Sequence, residues 1–146
     1  MSYSISALVM LAAGLGIPVL ASLNAALGQF IGSPVAAVTV LLFVAFFSIC
    51  IILVFTVQFP VTKVAEAPRH LFLAGLFVVF YMLSVTAIAP SFGVGNAIFF
   101  VLLGQLISAA VIDHFALFGS TGSPLTLTRT LGVGVMGLGV WLTQHA

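Results

Sequence analysis

Long apolar runs separated by short polar or turn-forming breaks organise this chain of 146 residues. Within each run the apolar positions follow one another continuously. They do not alternate at period two, as the strands of a membrane barrel would. A helix that crosses a bilayer needs about 20 mostly apolar residues, so the runs read as spans. Residues 1–62 carry no formal charge but exceed one crossing, and Ile31-Gly32-Ser33-Pro34 breaks them, because glycine loosens a helix and proline lacks a donor. That predicts spans near residues 4–30 and 34–57. Residues 63–70 are the most polar loop. A third span, near 71–89, is predicted to stop at Pro90, and a fourth, near 92–112, at Asp113-His114. Residues 119–124 form a turn-rich loop before a fifth span near 125–143. The fold class is therefore all-α integral membrane protein with five helices, and residues 1–146 form a single transmembrane domain.

Composition strengthens the pattern. Hydrophobic residues make up 63% and charged residues 3%, and the mean hydropathy is +1.42. A soluble domain carries about 25% charged residues, so this chain cannot coat a water-facing surface. The first run lacks a basic leader and is too long for the apolar core of a signal peptide. Cys50 is the single cysteine, so no internal disulfide forms. No basic run suits nucleic acid. The expected partner is the lipid bilayer.

The five charged residues are Lys63, Glu66, Arg69, Asp113 and Arg129. All three basic ones lie in loops on the side of Met1, which favours a cytoplasmic N-terminus and an outer C-terminus. An odd number of spans means that a second unit joined in tandem would enter the membrane inverted, the plan of many transporters. Five helices can hardly enclose a pathway between two gates. A homodimer, or a pair with a five-span homologue, is expected.

Helices in lipid meet at small residues. Gly132 and Gly139 flank Met136 on one face of the fifth span, and Ala12 and Gly16 form a small pair in the first. Each reads as an oligomer seam or as ordinary packing within the chain. Polar side chains at membrane depth are functional candidates, since each needs a partner away from water. Gln105, beside Gly104, lies mid-way along the fourth span, and Tyr81 at similar depth in the third. Asn24 lies toward the outer end of the first, Gln29 nearer the boundary, and Asn96 starts the fourth from that side. The plain alternative is that Gln105, Tyr81 and Asn24 hold helices together, at about 0.6 kcal/mol each. Trp141 fits an aromatic belt.

Asp113-His114 ends the fourth span on the predicted cytoplasmic side. It reads as a proton relay or as a helix end with Arg129 as ionic partner across the loop. No charged residue lies mid-span, so proton exchange through a buried carboxylate has no candidate. No nucleophile–base set, phosphate loop or metal-ligand spacing appears, so neither an enzyme nor a cofactor is expected. His70, His114 and His145 are scattered.

Taken along nearly the whole chain, the sequence resembles the small YdcZ-like branch of the drug/metabolite transporter superfamily. The resemblance is carried by Pro18 with Asn24-Ala25-Ala26-Leu27-Gly28, Gly32-Ser33-Pro34, Gly75, Tyr81, Ala89-Pro90 and Gly93. It continues through Gly104-Gln105 with Ser108, Asp113-His114-Phe115, Gly119, Arg129 and Gly132. The chain departs from that pattern at Leu20, where the resemblance implies a glutamine, and two small positions of the pattern, in the second span and after the Asp-His-Phe block, appear as Ala45 and Ala116. What it implies is an inner-membrane transporter of small molecules, half of a ten-helix inverted-repeat bundle. Gln105, Tyr81 and Asn24 are expected to bind substrate, with Asp113, His114 and Arg129 at a cytoplasmic mouth. The rival reading is a structural or accessory membrane protein.

Overall fold

The computed structural model describes residues 2–56, 59–120 and 126–144. Among them the chain is helical, with α1 (Tyr3–Ile31), α2 (Pro34–Thr56), a short α3 (Val61–Glu66), α4 (Ala74–Phe92), α5 (Val94–His114) and α6 (Leu127–Gln144). Four helical segments are long and apolar enough to cross a membrane: α1, α2, α5, and α4 together with the 3₁₀ turn Arg69–Leu73 before it. At 18 residues α6 is shorter, about 27 Å against a hydrocarbon core of ~30 Å.

The break after the first span forms as the sequence requires. Gly32 adopts φ 75°, a left-handed cap whose N–H donates to the Gln29 and Gly28 carbonyls. Ser33 Oγ accepts the Ala36 N–H at 3.2 Å, and Pro34 opens α2 at the position where a missing donor costs nothing. The third span differs from expectation. Helix α4 continues through Pro90 and ends at Gly93, whose φ is 91°. A proline near a helix end removes one N–H without unwinding the turn, and the left-handed glycine is the actual stop. The polar loop also holds a short helix, α3, flanked by Pro60 and Pro68. Val57 and Leu125, at the ends of the second and fifth predicted spans, lie outside the described residues, as do residues 121–124 of the turn-rich loop and His145.

The chain divides into two compact units, Met1–Val94 and Gly95–Ala146. In the first, α1, α2 and α4 pack on one another. Their buried residues are nearly all small: Ala21, Asn24, Ala25 and Gly28 from α1, Ala37 and Val38 from α2, and Val85, Thr86 and Ala89 from α4. The α1 set recurs at helical spacing and makes one stripe. Lipid gives no hydrophobic drive between helices, so stability comes from close backbone approach, which small residues permit. At the tightest point, a Cβ added to Gly28 would lie 3.2 Å from the Thr86 methyl carbon and 3.7 Å from Ala37 Cβ.

In the second unit α6 turns Arg129, Val133, Gly137 and Val140 inward as its half-buried face. Gly137 lies opposite Leu103 of α5, 3.8 Å from where its Cβ would be. Gly132 and Gly139 instead face open space, and Met136 is exposed with them. Among the described residues of this unit, nothing packs on that face. After α5, Ala116 (φ 48°) and Phe118 (φ 54°) sit in the left-handed region that favours glycine. Ala116→Gly is expected to stabilise the protein by about 1 kcal/mol, read as a higher melting temperature in detergent.

Candidate functional site

Asn24 and Thr86 join α1 to α4 at the centre of the first unit. Asn24 Nδ2 donates to Thr86 Oγ1 at 2.6 Å, with the two residues only 4% and 3% exposed. Thr86 was not apparent from the sequence. Hydroxyl residues in these helices mostly bond back to their own turn, as Ser22, Thr39, Ser48 and Thr56 do. Nothing in the pattern marked Thr86 as the exception.

The other polar groups of Asn24 are not used up by that bond. No hydrogen bond to its carbonyl oxygen is found among the described residues. Beside it α1 and α2 leave a groove of about 330 Å³, lined by Leu20, Leu23, Leu27 and Asn24 and by Val40, Leu41 and Val44. Asn24 is the one polar residue in that lining. Leu20, one turn before it, keeps the wall apolar where the resemblance implied a glutamine.

Tyr81 lies on α4 one turn before Val85, on the helix face that packs inward. Its ring is half-buried. Its hydroxyl is enclosed and has no hydrogen-bond partner among the described residues. An enclosed hydroxyl without a partner costs roughly 1–3 kcal/mol, so the site is incomplete as it stands. Asn24 and Tyr81 thus share one unit. Gln105 belongs to the other, where it is exposed mid-way along α5 beside the exposed Gly104 and Ser108. No hydrogen bond to its amide is found among the described residues.

At the predicted cytoplasmic end of the second unit, Arg129 Nη2 meets Asp113 Oδ2 at 2.6 Å. The pair ties the last turn of α5 to the first turn of α6. His114 is exposed and stands edge-on to Phe115, with ring centroids 4.8 Å apart. The ionic contact across the loop is thus present between Asp113 and Arg129. Both partners are about one-third exposed, so the bridge is worth about 0–1 kcal/mol. Asp113→Asn is expected to lower the melting temperature slightly at low salt, with the difference shrinking at high salt.

Within each unit, then, the polar residues along the long helices are neutral, and in the second the charged pair Asp113–Arg129 stands where α5 meets α6. Residues 5–142 match the family model described as "Putative inner membrane exporter, YdcZ". The chain belongs to the YdcZ family. The match covers both units and every residue of the candidate site. No curated protein and no solved structure gives a significant match. Membership makes this an inner-membrane protein of an exporter family, with transport rather than catalysis as its expected activity.

Proposed function

We propose that this YdcZ-family chain exports a small molecule, with the four long helices and the shorter α6 all crossing the membrane and the N-terminus in the cytoplasm. Two copies, or this chain and a five-span homologue, assemble into a ten-helix inverted-repeat bundle that opens alternately to either side. Tyr81 and Asn24 contact substrate in the first unit and Gln105 in the second, with Asp113, His114 and Arg129 at the cytoplasmic mouth. The observation that carries the binding site is the enclosed hydroxyl of Tyr81, which has no hydrogen-bond partner among the described residues. The dimer is supported by the exposed amide of Gln105 and by the open Gly132–Gly139 face. Hydrocarbon satisfies no amide, and lipid packs against glycine less closely than a second helix does. The orientation rests on the three-to-zero distribution of Lys and Arg. Loop cysteines in a chain lacking Cys50 separate the two assemblies: labelling of each site from one side only requires a five-span homologue as the inverted half, and labelling from both sides means two copies of opposite orientation.

Ligand binding to the folded state raises its stability. Thermal melts of purified protein against a solute panel should therefore show at least one solute that raises the midpoint, and less so for Tyr81→Phe. A structural or accessory role is the second reading, favoured by the Asn24–Thr86 bond, which is ordinary helix glue. It requires that no solute shifts the melt.

A further inference from the structure

The groove between α1 and α2 has the chemistry of a binding site for one class of ligand. Its walls are leucine and valine, and its rim is exposed at Leu23, Val40 and Val44. Its one polar element is Asn24, which is more than nine-tenths buried. The amide nitrogen is committed to Thr86, while the carbonyl oxygen accepts no bond among the described residues. That oxygen keeps some accessible surface, since the one fully enclosed side-chain atom without a partner among the described residues is the Tyr81 hydroxyl, and in hydrocarbon an acceptor without a donor costs free energy until a donor arrives. We propose that this groove binds a neutral amphiphile dissolved in the bilayer, with an alkyl body along the leucines and a hydroxyl or amide N–H donating to Asn24 Oδ1.

Size and charge narrow the class. At about 330 Å³ the groove is at the small end of ligand sites, which run from about 300 to 1,000 Å³. One alkyl chain fits that volume better than a large polycyclic body does. A cationic amphiphile finds no carboxylate there. In the first unit Glu66 is the only acidic residue, and it lies in α3, within the polar loop between spans. A phospholipid is disfavoured for the matching reason. Its phosphate would seek Lys63 or Arg69, which lie in that same polar segment, whereas α1 contributes Asn24 from its second half, the end away from its predicted cytoplasmic start. The donor requirement separates an alcohol from a hydrocarbon of equal length. A neutral hydrogen bond contributes about 0.5–1.5 kcal/mol, up to roughly tenfold in affinity.

The proposal rests on the transporter reading only for what happens to the ligand after it binds. The test is photolabelling of the full chain in nanodiscs with a diazirine-bearing decanol, followed by mapping of the labelled residues. Labels are expected in the segments 20–27 and 40–44. Excess 1-decanol should suppress them several-fold more strongly than decane or decyltrimethylammonium. Asn24→Leu should erase the preference for decanol over decane, whereas Thr86→Val, which removes only the structural partner, should keep it. Three results would overturn the proposal: labels spread over all lipid-facing residues, equal competition by decane, or equal labelling by a phosphatidylcholine carrying the diazirine on its acyl chain. Selective labelling without transport would leave the site standing and remove the exporter reading. Transport of another solute with unselective labelling would do the reverse.

Discussion

Gln105→Leu is expected to abolish transport while leaving membrane insertion and the melting temperature of the protomer essentially unchanged. The reason lies in what the amide does not do. Gln105 is exposed in mid-helix, and no hydrogen bond to it is found among the described residues. Leucine there breaks no observed contact and makes the helix easier to insert. If Gln105 held helices together within the protomer, its loss would lower stability instead. An amide in the middle of an apolar helix without a partner among the described residues is a place for substrate or for a second subunit. Flux and oligomeric state measured on the same sample separate the two: lost flux with the dimer retained assigns Gln105 to substrate. Unchanged flux would remove it from the site.

The second large effect concerns Gly28. Gly28→Leu should destabilise the protein by about 1–3 kcal/mol or more, the cost of overpacking a tight contact. The first added carbon already lies 3.2 Å from the Thr86 methyl and 3.6 Å from Pro34 Cα. The methyl can shift by a few tenths of an ångström, but the Pro34 backbone, at the first turn of α2, yields less. A larger side chain therefore separates α1 from α2 and α4 and pulls Asn24 away from Thr86. Gly28→Ala should cost much less, because only the methyl must move. Gly75→Leu, where nothing lies within 4 Å of an added Cβ, is the control and should melt like the unaltered protein in detergent. Equal melting of the Gly28 and Gly75 variants would contradict the packing described.

The long apolar helices were legible because lipid demands long apolar runs, and because Gly32, Ser33 and Pro34 each have a specific backbone task at the first break. Pro90 misled as a stop signal. Proline marks a missing donor but does not by itself end a helix, and Gly93 supplied the left-handed residue that did. Candidate polar residues could be seen through their rarity at depth, which is how Asn24, Tyr81 and Gln105 stood out. Their partners could not. Thr86 looks like any hydroxyl residue in a membrane helix until α1 and α4 are brought together. The inward face of α6 was equally hidden, since Gly137 and Gly132 are indistinguishable by type and only the packing of Leu103 selects one. Asp113 and Arg129 were readable as a pair because ions at the end of a span have few other places to go.

Flux tests the exporter reading most directly. Inside-out vesicles from cells producing the chain would be given the radiolabelled solute that most raises its melting temperature. Accumulation above vesicles lacking the chain is expected, and it should fall at least tenfold with Tyr81→Phe or Gln105→Leu. Accumulation no greater than in vesicles without the chain would contradict the account.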